Sequence, residues 1–197
     1  MRENGAISNR EIELADDVLL VSKTDVGGRI TFVNKAFIEV SGFTETELMG
    51  APHNLVRHPH MPEVAFADLW TTIKAGRPWE GIVKNRAKSG DHYWVRANAT
   101  PIVENGDITG FISVRTKPSR AQVAAADALY AAIREGRAGN IRLSEGEVLS
   151  MSLAGRISRF LRSLKGRMTV LAVVMLTLSA AAGAIGLIGM EDSNEAL

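Results

Sequence analysis

Short runs of alternating apolar and polar residues open the patterned part of the chain. VLLVSKT at Val18–Thr24 and RITFV at Arg29–Val33 carry a period of two, and Asp25-Val26-Gly27-Gly28 between them is turn chemistry. The spacing predicts a hairpin. Asn34 before KAFIEV predicts a capped helix to about Val40, ended at Ser41-Gly42. Thr44 with Glu47 three residues later is a capping box for another short helix ending at Gly50. The period then lengthens. Val64, Phe66, Leu69, Trp70 and Ile73 recur at helical spacing between Pro62 and Ala75, with Gly76 as the stop. Three further strands are predicted at Trp79–Ala87, His92–Ile102 and Asp107–Thr116, turned at Ser89-Gly90 and Asn105-Gly106. This order predicts an α+β domain over residues 18–117, a five-stranded antiparallel sheet with helices on one face, after an N-terminal cap at 1–17.

Beyond Pro118 the pattern changes. Ser119 and Gln122 cap a predicted Ala-rich helix to about Arg137, followed by a break at Gly139. From Val148, the residues Leu149, Leu153, Ile157, Phe160 or Leu161, and Leu164 form one apolar stripe, with Arg156, Arg159, Arg162 and Lys165 beside it. Residues 118–167 thus read as a helical linker with a basic amphipathic end. That end either lies on an anionic leaflet or a partner helix, or is a plain charged flank. Met168 to Met190 holds no charged residue and spans about 35 Å as a helix, enough for a bilayer. Basic residues precede it and only Glu191, Asp192 and Glu195 follow, so the positive-inside rule predicts a cytoplasmic 1–167 and a periplasmic start at 191–197.

Composition narrows the function classes. A net charge of +1 over 197 residues argues against a nucleic-acid partner. The absence of cysteine removes disulfides, thiolate-held metals and any cysteinyl adduct of a ligand. No phosphate loop, kinase signature or nucleophile–base motif is present, so the chain does not read as an enzyme.

The candidate chemistry is concentrated between His53 and Trp94. Trp70, Trp79 and Trp94 are either core or the flat walls of a pocket for a heteroaromatic ligand, Trp79 being the favoured contact. Asn34 is a helix cap or a ligand contact. Asn85 alternates with Val83 on an apolar-facing strand, where an inward amide requires a partner. Arg57 and His58 stand in a proline-bounded loop, and a guanidinium there can fork onto phosphate oxygens. His53, His58 and His60 lack acidic or thiol companions at a zinc spacing, so a metal site is not expected.

The Arg57-His58-Pro59 corner, Trp79 and the strands that follow resemble the PAS domain of bacterial aerotaxis receptors, from Leu14 to Arg115 and more faintly onward. The resemblance implies a PAS fold holding FAD without a covalent bond, with Arg57, His58, Trp79, Asn34, Asn85, His53, Trp70 and His60 as binding candidates. It implies redox sensing at the bacterial inner membrane, in homodimers or larger arrays. A coupling protein and a histidine kinase would be engaged only through a C-terminal part beyond Leu197, making the chain the front of a longer receptor. One position departs from the family: where its motif reads Arg-His-Pro-Asp-Met-Pro, His60 replaces the acid. Haem ligated by a loop histidine, or a ligand-free interaction domain, are the alternatives for the same fold.

Overall fold

The computed structural model describes residues 7–139 and 141–150, and then 168–169, 171–172 and 175–176. Two compact units divide at residue 149, Met1–Leu149 and Ser150–Leu197. The strands are β1 Leu20–Asp25, β2 Ile30–Val33, β3 Trp79–Arg86, β4 His92–Glu104 and β5 Asp107–Thr116, in the order β2-β1-β5-β4-β3 with every pair antiparallel. The helices are α1 Lys35–Ser41, α2 Glu45–Leu48, α3 Glu63–Lys74 and α4 Arg120–Arg134, with a 3-10 turn at His53–Val56.

Local signals account for the boundaries. The Asn34 carboxamide accepts from the Phe37 amide at 3.1 Å and starts α1. Thr44 with Glu47, and Ser119 with Gln122, form reciprocal capping boxes at α2 and α4. Asn105 and Gly106 both take positive φ, the mirror-image turn that matches the twist of a hairpin.

Strand parity then decides what each residue faces. On β4, Tyr93, Val95, Ala97 and Ala99 are buried, while Arg96 and Asn98 are exposed. Trp94 lies on the same face as those exposed residues yet is buried, because Tyr130 of α4 stacks on it at 6.5 Å and 14°. The Tyr130 hydroxyl donates to the Ile82 carbonyl at 2.5 Å. The outer face of the sheet is thus covered by α4, from the segment predicted as a helical linker, since an outward tryptophan needs a cover.

Residues after Gly139 also differ from the pattern reading. Ile141–Ser144 and Glu147–Ser150 form a two-stranded hairpin, β6–β7, turned by Glu145 and Gly146 at φ 58° and 85°. Val148 is thus in a strand and not at the start of a helix, because the Glu-Gly turn forces a reversal. The predicted amphipathic stripe from Leu153 and most of the predicted span Met168–Met190 lie outside the described residues. Among the described residues no helix is long and apolar enough to cross a membrane.

Asn34 does more than cap. Its oxygen also accepts from the Val21 amide at 3.0 Å, and its nitrogen donates to the Leu19 carbonyl at 2.8 Å, tying α1 to β1. Asn34→Ala should lower stability by about 1–2 kcal/mol, read as a lower denaturant midpoint with an unchanged slope. A variant as stable as the parent would show that these bonds contribute nothing.

Candidate functional site

A cavity of about 530 Å³ lies between the inner face of the sheet and α3, within the size range of small-molecule sites. Its volume comes from small side chains at the centre of the sheet. Ala97 and Ala99 on β4, with Ser22 and Thr24 on β1, line it where longer residues would reach α3. The opposite wall is Phe66, Leu69, Trp70 and Ile73 of α3. The Trp70 ring meets Phe111 edge-on at 5.6 Å. Gly28, at φ +81°, lets the β1–β2 turn close against that tryptophan, since a β-carbon there would fall 2.8 Å from its ring.

Polar groups converge on the cavity from the sheet. Asn85 is 3% exposed, and its amide nitrogen has no hydrogen-bond partner among the described residues. The Thr24 hydroxyl is likewise buried without one. An unpaired buried donor costs about 1–3 kcal/mol, so two on one wall point to a ligand with hydrogen-bonding edges. Arg57 packs its guanidinium 3.9 Å over the Phe66 ring, and its backbone bridges to Asn85.

Arg115, which the pattern reading did not single out, also lines the cavity, at 4% exposure. Its guanidinium donates to the Ser22 hydroxyl at 3.0 Å and to His53 Nε2 at 2.8 Å. No carboxylate forms an ion pair with it among the described residues. Burial lowers its pKa to about 10, which leaves it charged at neutral pH. Burial, and then the Arg115 charge, push His53 down to about 3, so its imidazole is neutral and accepts at Nε2. The signal was present in FISVRT: β5 parity puts Phe111, Ser113 and Arg115 on one face.

The structure therefore brings His53, Arg57, Trp70 and Asn85 together around the cavity. Asn34, His58, His60 and Trp79 are elsewhere. Asn34 is engaged by α1 and β1 as described. Trp79 donates its indole N–H to Asp68 at 2.8 Å. His58 is 1% exposed in the core, where its Nδ1 accepts from the His60 amide at 3.1 Å and its ring lies 4.6 Å from His60 and 5.8 Å from His92. Among the described residues no three His, Cys, Asp or Glu side chains are placed to hold a metal ion.

Comparison with known proteins agrees with this architecture. Residues 30–115 match the protein family described as "PAS fold". The chain is 48% identical over 157 residues, 80% of its length, to the aerotaxis receptor of Escherichia coli strain K12, of which it spans 31%. It is 26% identical over 96 residues, 48% of the chain and 19% of the relative, to the nitrogen fixation regulatory protein of Klebsiella pneumoniae. The dark structure of the blue-light photoreceptor Aureochrome1 LOV superposes with a TM-score of 0.50 at 16% identity, covering 59% of this chain and 84% of that one. At that identity the likeness is one of fold.

The buried imidazoles give a pH prediction. His53 and His58 both have folded pKa values lowered to about 3, mainly by burial, against about 6.5 unfolded. Each is neutral in both states above pH 6.5. Below that the unfolded chain takes up protons that the folded chain does not, so stability falls as the pH drops towards 3. The slope approaches about 1.4 kcal/mol per pH unit for each histidine. Denaturant titrations at pH 7 and pH 5 check this, and equal midpoints would contradict it.

Proposed function

We infer, from a PAS-fold domain in a chain that resembles the N-terminal region of the aerotaxis receptors, that residues 7–149 are the input module of a membrane chemoreceptor that senses redox state through bound FAD. The observation that carries this reading is one cavity with aromatic and aliphatic walls, two unpaired polar groups and a buried cation on its sheet side. A flat heteroaromatic ring with a hydrogen-bonding edge fits that set. Asn85 and Thr24 would meet the ring edge, Trp70 and Phe66 would wall it, and Arg57 would reach the phosphates, for which a guanidinium fork is suited. FAD, when bound, supplies reversible electron uptake, and with it a change of charge inside the cavity.

The protein's own part is to make that charge matter. Arg115, held by Ser22 and His53, favours electron density on the side of the cavity it faces. Asn85 can turn its amide to donate or accept as the partner's needs change. Both sit on strands, so any adjustment is passed to backbone that the sheet shares.

Haem is the weaker reading. His53 is the imidazole on the cavity wall, and its Nε2 is taken by Arg115; His58 is outside the cavity lining. A ligand-free interaction domain would leave Asn85 and Thr24 unpaired in the interior at a cost with no return. In the receptor this reading implies, the sensor faces the cytoplasm at the bacterial inner membrane. Signalling would run through a dimer or array to a coupling protein and a histidine kinase.

The visible spectrum of the purified chain tests the reading. Paired flavin bands should appear, with about one FAD per chain. Asn85→Leu and Arg57→Ala should each weaken retention about tenfold or more, as expected for losing a buried or charge-assisted hydrogen bond. A sharp Soret band, or no visible absorption after incubation with FAD, would overturn it.

A further inference from the structure

Asp68 lies on α3 two residues before Trp70, and its carboxylate serves three donors from distant parts of the chain. Oδ2 accepts from the Trp79 indole N–H at 2.8 Å and from the Gly146 amide at 2.8 Å. Oδ1 accepts from the Glu145 amide at 2.9 Å. Glu145 and Gly146 both have positive φ at the turn of the β6–β7 hairpin, and their consecutive amides point at the same anion. Arg77, just after α3, forms an ion pair with Glu145. The turn also lies flush on β3: a β-carbon at Gly146 would fall 1.5 Å from the Glu80 carbonyl oxygen, so only glycine fits. One carboxylate thus joins the helix that walls the cavity, the first residue of β3, and the hairpin that follows α4.

We propose that Asp68 is the contact through which the cavity communicates with the segment after α4, a docking site on α3 and β3 for the turn of the β6–β7 hairpin. It rests on the reading of the cavity as a ligand site. Phe66, Leu69, Trp70 and Ile73 on α3 touch the cavity, so a ligand that moves the helix moves Asp68 with it. Three hydrogen bonds to one carboxylate are sensitive to such a shift, because losing their common acceptor strands two backbone amides and an indole together. Coupling of this kind is reciprocal, so releasing the hairpin must alter the cavity wall.

Two variants of the full chain separate the parts. Asp68→Asn exchanges an anion for a neutral amide of the same size, whereas Gly146→Ala keeps the carboxylate and forces the turn off β3, where the new β-carbon would meet the Glu80 carbonyl. Hydrogen exchange is followed in the ligand-free chain at the Glu145 and Gly146 amides and at the Trp79 indole, and dissociation of FAD is followed by absorbance. Asp68→Asn should speed exchange at all three groups by about tenfold or more, the size expected for a lost charge-assisted hydrogen bond. Gly146→Ala should speed exchange of the Trp79 indole severalfold as well and shift the FAD dissociation rate. A Trp79 indole that exchanges at the parent rate in Gly146→Ala overturns the proposal, whether or not FAD binds. Unchanged hairpin amides in Asp68→Asn overturn it too. A parent chain that holds no FAD defeats the cavity reading alone, and the indole exchange then decides the coupling.

Discussion

A guanidinium buried beside a cavity governs much of this domain. Arg115, near the end of β5, is buried, and its neighbours are arranged around the need to solvate it. Ser22 on β1 and His53 in the 3-10 turn accept its hydrogen bonds, and the Phe37 ring of α1 lies 5.5 Å from it. Taking a cation out of water without a carboxylate is expensive, and neutral acceptors repay only part of that. The cost falls on three elements at once, which fixes β1, β5 and the His53 loop relative to one another. Burial keeps His53 neutral, and the Arg115 charge 2.8 Å away reinforces it.

The same economy of space leaves the cavity open. A sheet packed against a helix ordinarily fills the gap with large side chains. Here β4 presents Ala97 and Ala99 and β1 presents Ser22 and Thr24 towards the cavity, side chains too short to fill the space between the sheet and α3. Packing elsewhere is dense: Tyr93, Phe37, Leu20, Ile30 and Leu48 are all nearly inaccessible. Around this volume lie the unpaired Asn85 amide nitrogen and Thr24 hydroxyl and the Arg115 charge, which no carboxylate pairs among the described residues, whereas the unpaired His92 Nδ1 and Tyr93 hydroxyl lie outside its lining.

Much of the fold was legible because its signals are local. Caps at Asn34, Thr44 and Ser119, and the turn at Asn105-Gly106, act within four residues and are indifferent to tertiary context. Asn85 was legible from strand parity. Arg115 was available by the same argument on β5, but a basic residue near a strand end reads first as solvated. The tryptophans were not separable in advance. Trp70, Trp79 and Trp94 offer the same surface, and what distinguishes them is a distant partner: Asp68 takes Trp79, Tyr130 covers Trp94, and Trp70 alone is left to the cavity. The hairpin at 141–150 was masked by the helical spacing that begins at Val148, although Glu145-Gly146 signalled a reversal.

Without cysteine no thiol adduct can form, and a ligand held here without a covalent bond acts on the protein through hydrogen bonds, charge and contact. Each is weak beside a covalent bond, so a response depends on groups poised near balance. The Asn85 amide nitrogen and the Thr24 hydroxyl meet that condition because, among the described residues, neither has a hydrogen-bond partner to give up. Arg115 meets it because its counter-charge must come from elsewhere. On the far side of the cavity, α3 bears Trp70 towards the ligand and Asp68 towards the hairpin within a single turn of helix. A displacement too small to unpack the core still changes the geometry of three hydrogen bonds at once. In the proposed coupling their loss would be cooperative where the packing contacts are graded, and a modest change of charge inside the sheet would become a discrete change at its edge.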